Sequence, residues 1–206
     1  MKKIVAIVLT SGTALLAGCG GSGGDAGTAN VLLTGGTSLQ SPYLGTWQAP
    51  CDGHERQILV VTLKADGSGA YELTPTTETY QKAGCDGALL GTESMSASIS
   101  AAPDGVADVL IKLTGSDGVS DVRIDKLTLS MPAYSFQVSG PGVQYVLRDG
   151  LQQWCITHDD GETCLHDDGR QTARTIAGGM LLRNNALYTV VQHGSEYLPD
   201  LHYVKK

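Results

Sequence analysis

Asp-Gly occurs eight times in this chain, at 52, 66, 86, 104, 117, 149, 160 and 168. Both residues tolerate positive φ, so the pair closes tight turns between extended runs. It punctuates the chain between extended runs, and long helical periodicity is absent from the sequence between them. The segments between the turns carry the period of a strand. Ile58–Leu63 is rich in β-branched and aliphatic residues. Met95, Ala97 and Ile99 alternate with Ser, and Val109, Ile111 and Leu113 alternate with Leu110, Lys112 and Thr114. Val122 and Ile124 alternate, the phase slips at Asp125-Lys126, and Leu127, Leu129 and Met131 resume; this reads as a bulge. Val143, Tyr145 and Leu147 alternate again, as do Leu201 and Tyr203, and Asn184-Asn185 adds another turn signal. Thr172–Gly179 reads as a short helix or a loop. The pattern predicts an all-β domain, an antiparallel meander of about 8–10 strands, closed as a barrel or stacked as a sandwich.

The N-terminus has a different character. Met1-Lys2-Lys3 is a positive start, Ile4–Leu16 is apolar, and Leu16-Ala17-Gly18-Cys19 follows. This run resembles the lipobox of bacterial lipoprotein precursors. The resemblance implies a signal peptide over 1–18 and a diacylglyceryl group on the Cys19 sulfur. It also implies anchoring in a lipid bilayer through acyl chains, each buried methylene contributing about 0.8 kcal/mol. Gly20 follows the Cys in place of Asp, which in Gram-negative lipoproteins implies sorting to the outer membrane. Localisation is thus expected in the cell envelope, with palmitate among the acyl groups. Residues 19–41 then read as the lipidated Cys plus a flexible tether, since seven of the 22 residues from 20 to 41 are Gly. The expected folded domain is 42–206.

Without Lys2 and Lys3, 12 basic residues face 21 acidic ones. Such a balance, with no basic stripe, argues against nucleic acid and favours a basic protein partner or plain solubility. Once Cys19 is assigned to lipid, Cys51, Cys85, Cys155 and Cys164 remain. An even number in an exported chain reads as two disulfides. No pair has Cys-x-x-Cys spacing, so a zinc site of thiolates is disfavoured.

The pairing follows from the stretch WCITHDDGETCLHDDGR, residues 154–170. If 151–158 and 161–166 form a hairpin, Cys155 can face Cys164. Trp154 then meets Leu165 and Ile156 meets Thr163 on an apolar face, while Gln153 meets His166 and Thr157 meets Glu162 on a polar one. A competing register, with Gly161 as a bulge, would put Cys155 opposite Leu165. The first register gives Cys155–Cys164 and leaves Cys51–Cys85. On the loop-entropy model the two bonds stabilise by at most about 2.7 and about 3.8 kcal/mol. In that register His158 and His166 lie roughly 17 Å apart, too far for one zinc ion. Asp159, Asp160 and Glu162 offer oxygens to Ca²⁺, but without the alternating carboxylates of a calcium loop. No metal and no cofactor are therefore expected, and the two His-Asp-Asp-Gly boxes read as turns.

Leu44-Gly45-Thr46-Trp47 opens the first strand, and the chain ends in the short strand 201–206. Gly-x-Trp on the first strand of a meander of this length resembles the lipocalin-like (calycin) barrels. The resemblance implies that Trp47 plugs one end of a barrel and that a cavity at the other end holds a small apolar ligand or lipid. Two features depart from the family: there is no match to its Thr-Asp-Tyr motif, and the sequence identifies no basic residue to stack on Trp47.

Searches for catalytic patterns return little. No Gly-x-Ser-x-Gly elbow sits between strand and helix, and His54-Glu55 starts a zinc-protease motif that Ile58 breaks. His193-Gly194-Ser195-Glu196 reads as a surface turn. The expectation is a non-enzymatic envelope lipoprotein whose barrel binds a small hydrophobic ligand. The alternative is an interaction module or inhibitor acting through acidic loops.

Overall fold

The computed structural model describes residues 41–113 and 117–206. The expected signal peptide, Cys19 and the tether as far as residue 40 lie outside the described residues. Thirteen strands run through them, more than the sequence pattern distinguishes: Gly45–Gln48 (β1), Glu55–Leu63 (β2), Tyr71–Lys82 (β3), Asp86–Met95 (β4), Ile99–Ile111 (β5), Ser120–Met131 (β6), Phe136–Ser139 (β7), Val143–Arg148 (β8), Leu151–His158 (β9), Gly161–His166 (β10), Arg174–Arg183 (β11), Ala186–His193 (β12) and Glu196–Lys205 (β13). Thr172–Gly179 is neither helix nor loop: Arg174 onward is β11.

Eight of these strands close on themselves. In the order β1, β2, β3, β5, β6, β11, β12, β13, each pairs antiparallel with the next. β13 returns to β1 through Trp47↔Lys205 and Gln48↔Val204. The ring settles the choice between barrel and sandwich, and closure removes the unpaired edges that an open sheet would expose. β4 and β5 share β3: Thr76–Lys82 pairs with β4, and Tyr71–Leu73 with β5. β7 pairs with β4, and β10, β9 and β8 form a separate three-stranded sheet in that order.

Seven of the eight Asp-Gly pairs fall at or beside strand ends, and Asp104-Gly105 falls inside β5. Asp149-Gly150 and Asn184-Asn185 take positive φ at both residues, as a tight hairpin turn requires. Asp104-Gly105 corrects the expected bulge. β6 keeps an unbroken register with β11 through Asp125 and Lys126. The extra residue lies on β5, where Pro103↔Leu127 is followed by Val106↔Asp125. The phase slip in β6 marks a change in which face is buried.

Leu127, Met180, Leu187 and Tyr203 belong to the core inside the ring, with Trp47, Leu59, Val61 and Ala101. Ile124, Leu181 and Val190 belong to a second core. Met180 and Leu181 are neighbours on one regular strand, so the two cores lie on opposite faces of the sheet. β13 joins both cores across its own shift, where Tyr188↔His202 is followed by Val190↔Pro199. Gly178 and Gly179 stand where the two cores meet. A Cβ on Gly178 would lie 2.7 Å from the Val190 carbonyl oxygen, and one on Gly179 would lie 2.8 Å from that of Asp125. Glycines that look like a loop in the sequence therefore allow close strand approach within the sheet.

A second set of glycines seats the three-stranded sheet. A Cβ on Gly91 of β4 would run into Ile156 and Val143, and one on Gly142 would meet Leu90. Gly140 has φ of 142°, and a Cβ there would collide with the Leu90 carbonyl oxygen and lie 2.7 Å from Gly91 Cα. Gly140→Ala thus combines a backbone conformation reserved for glycine with overpacking. It is expected to cost about 2–3 kcal/mol, read as a lower urea midpoint at unchanged slope.

Candidate functional site

The Trp47 end of the ring comes first. Trp47 is 2% exposed, and its indole N–H donates to the Tyr43 carbonyl at 2.7 Å. The Lys205 amine lies 5.3 Å from the centre of its ring. A basic partner for Trp47 therefore exists, contrary to the expectation from the sequence. The signal was not local: only the β1–β13 pairing sets residue 205 beside residue 47. The cation faces the π-cloud while its methylene stem covers apolar surface.

Next to Trp47, the interior is occupied by the chain itself. Tyr43 is buried, its hydroxyl donates to Asp125 Oδ2, and its ring packs edge-on against Tyr71 at 6.0 Å. Burial first, then the Asp125 hydrogen bond and charge, push the Tyr43 phenol above its ordinary value of 10.0. Ser41 Oγ lies 2.8 Å from the Tyr71 hydroxyl. Ala101, Leu187 and Met180 fill the middle with at most 1% exposure each. Two open recesses flank this packed interior. One crosses Glu72, Ser100, Ser130 and Thr175 between Lys64 and Arg174, and the other lies at the Trp47 end beside Leu182 and Asn184.

The β9–β10 hairpin forms as the Cys-matched register requires. Cys164↔Cys155, Leu165↔Trp154, Thr163↔Ile156 and His166↔Gln153 pair, and both disulfides, Cys51–Cys85 and Cys155–Cys164, are present. The faces are less cleanly divided than expected. Ile156 is 1% exposed, but Trp154 and Leu165 are only half-buried, and Gln153 of the supposed outer face is buried. The cause is β8, which pairs with β9 and moves it from edge to centre of its sheet. Trp154 packs against Tyr145 of β8, ring centres 5.2 Å apart.

The turn of this hairpin meets the ring at a crowded point. Cys51–Cys85 ties the β1–β2 connection to the β3–β4 turn, and Gly84 N–H donates to the Gly53 carbonyl at 2.7 Å. His54 stands in that connection, one residue beyond Gly53. The Asp159 N–H donates to the Gln81 carbonyl at 3.0 Å, and the Gln81 amide donates to Asp159 Oδ1 at 3.1 Å. These bonds stack the His158 ring on that of His54, centres 3.8 Å apart. Asp160 Oδ1 then lies 2.6 Å from His54 Nε2 and 2.8 Å from His158 Nδ1. Partial burial raises the Asp160 carboxyl, but the His158 hydrogen bond and, when it carries a second proton, the adjacent His54 outweigh it and hold the group below its ordinary value.

The carboxylates named for calcium do not converge. Asp159 is bonded to Gln81, Asp160 faces the two imidazoles, and Glu162 accepts from Arg148 at 2.8 Å. In the second box, Asp167 accepts from the Tyr145 hydroxyl at 2.7 Å and from the Gly169 N–H at 3.0 Å, while His166 is exposed. The partner that brings His158 into a cluster is thus His54, from another part of the chain. Comparison with protein-family models, with curated proteins and with solved structures finds no match.

Proposed function

We propose that this chain is an exported, membrane-anchored binding protein of the cell envelope, with the ring as scaffold and the β8–β10 sheet as the part that meets a protein partner. One observation carries the reading. The ring interior is filled by its own side chains, whereas β8 and the start of β9 present Tyr145, Leu147 and Leu151 at 53–66% exposure. Among the described residues β8 pairs with β9 alone, so its other edge can accept an extended segment. Residues 143–170 hold six carboxylates against two arginines, which suits a basic partner. Two disulfides fit an oxidising compartment, and the lipobox resemblance supplies the anchor through Cys19.

The test is site-specific photo-crosslinking in intact envelopes, with the label at Leu147 or, as control, at the exposed ring position Arg123. Adducts at Leu147 alone, lost in Leu147→Asp with export and disulfides intact, are the expected result. Equal labelling at both positions would refute the reading. The lipocalin-like alternative, a small apolar ligand, draws support from the Trp47–Lys205 pair and the closed ring. Native mass spectrometry of the full chain tests it through co-purified lipid, and the mass of the mature chain tests acylation of Cys19.

A further inference from the structure

We infer that His54, His158 and Asp160 form a binding site for one divalent transition ion of the Zn²⁺ class. The inference is independent of the partner-binding reading above. His54 Nδ1 lies 3.1 Å from the Tyr80 backbone oxygen. A carbonyl only accepts, so Nδ1 carries the proton and, in neutral imidazole, Nε2 is a bare lone pair. That lone pair faces a carboxylate oxygen 2.6 Å away. Two acceptors at this distance repel unless a cation lies between them. The His54 side chain is 90% buried, and Nε2 has no aligned hydrogen-bond partner.

A proton on Nε2 would relieve the repulsion, but it would create an imidazolium stacked on a second imidazole with one shared carboxylate. A divalent ion satisfies all three groups together. The three ligand atoms lie within 4.8 Å of one another. Two imidazole nitrogens and one carboxylate oxygen are a donor set that suits such ions, and three protein ligands leave a fourth position open. Bonds near 2.0–2.1 Å place tetrahedral ligand atoms about 3.3 Å apart and the ring centres about 5 Å apart, so the exposed Asp160 swings by less than about 1 Å and the His158 ring turns out of its 3.8 Å stack on His54 to aim its lone pair at the ion.

The surroundings fit as well. Each imidazole has its second nitrogen fixed: His54 by the Tyr80 carbonyl, and His158 by Thr163 Oγ1 at 3.3 Å. The Thr163 hydroxyl can donate to Nε2 of His158 or accept from it. On metal binding the His158 proton passes from Nδ1 to Nε2 and Thr163 becomes the acceptor, with no net change in protons on the ring. Asp160 is 67% exposed, which gives the ion a path in and solvent a place in the fourth position.

The test uses the untagged full chain in detergent, stripped with chelator and titrated with Zn²⁺ by calorimetry and with Co²⁺ by its visible ligand-field band. One equivalent of Zn²⁺ and the intense band of four-coordinate Co²⁺ are expected. Outer partners of metal ligands are worth 10–100-fold in affinity, so Thr163→Val is expected to weaken binding about 10-fold and Asp160→Asn about 100-fold or more. Asp160 is exposed, so its variant should keep the fold, checked by the disulfide map and circular dichroism. His166→Gln should bind as the parent does. No stoichiometric binding by the parent chain, or equal binding by Asp160→Asn, would overturn the assignment and leave a hydrogen-bonded joint.

Discussion

Trp47→Ala is expected to lower stability by about 3–5 kcal/mol, the range for emptying a buried aromatic site. The position is 2% exposed and central to the ring core, and the two strands it lies between, β2 and β13, meet only through β1. β1 is four residues long, so Leu59 and Lys205, its paired neighbours, have little else with which to close the barrel there. The change also orphans the Tyr43 carbonyl, which accepts the indole N–H. Urea unfolding followed by far-ultraviolet dichroism measures the loss. Trp47→Phe should recover most of the packing without the hydrogen bond, and Lys205→Met should cost under about 1 kcal/mol, since the cation–π contact is at the exposed end. If Trp47→Ala unfolds within 1 kcal/mol of the parent, β1 does not close the ring in solution.

Cys51→Ser with Cys85→Ser is the second large effect, about 3–4 kcal/mol. The bond spans 34 residues, and on the loop-entropy model its loss frees the unfolded chain by up to about 3.8 kcal/mol. The loop contains β2 and β3, two members of the ring. Removing Cys155–Cys164 should cost less, about 2.7 kcal/mol at most, because it spans nine positions within a hairpin that six residue pairs already hold in register. Unfolding midpoints of the two double-serine proteins, compared at equal denaturant slope, give the order. A second readout distinguishes the bonds: loss of Cys51–Cys85 frees the connection that carries His54, so Zn²⁺ binding should weaken there more than the distance from any ligand atom alone would suggest.

The stretch of His, Asp and Cys at 154–170 shows where sequence reasoning reaches. Strand alternation and the match of Cys155 to Cys164 are consequences of a period of two, and a period is local. The hairpin register was therefore legible, and with it the second disulfide by elimination. The burial of its faces was not, because β8 and the glycines of β4 decide it from elsewhere. The same period separates His158 from His166, the nearest histidine in the sequence. Its companion is His54, whose own neighbourhood, His54-Glu55 with Ile58, offers only a broken protease motif.

Turn chemistry, alternating apolar residues and paired cysteines by themselves determined an all-β chain with two staples, because each depends on residues within a few positions of one another. Ring closure, the lysine on Trp47, the swap of buried face along β6 and the meeting of two imidazoles over Asp160 depended on strands far apart in the chain. Those contacts follow from strand order and stagger, which no local pattern contains: the joining of β13 back to β1 decided the first two, and the seating of the β8–β10 sheet against the ring decided the last.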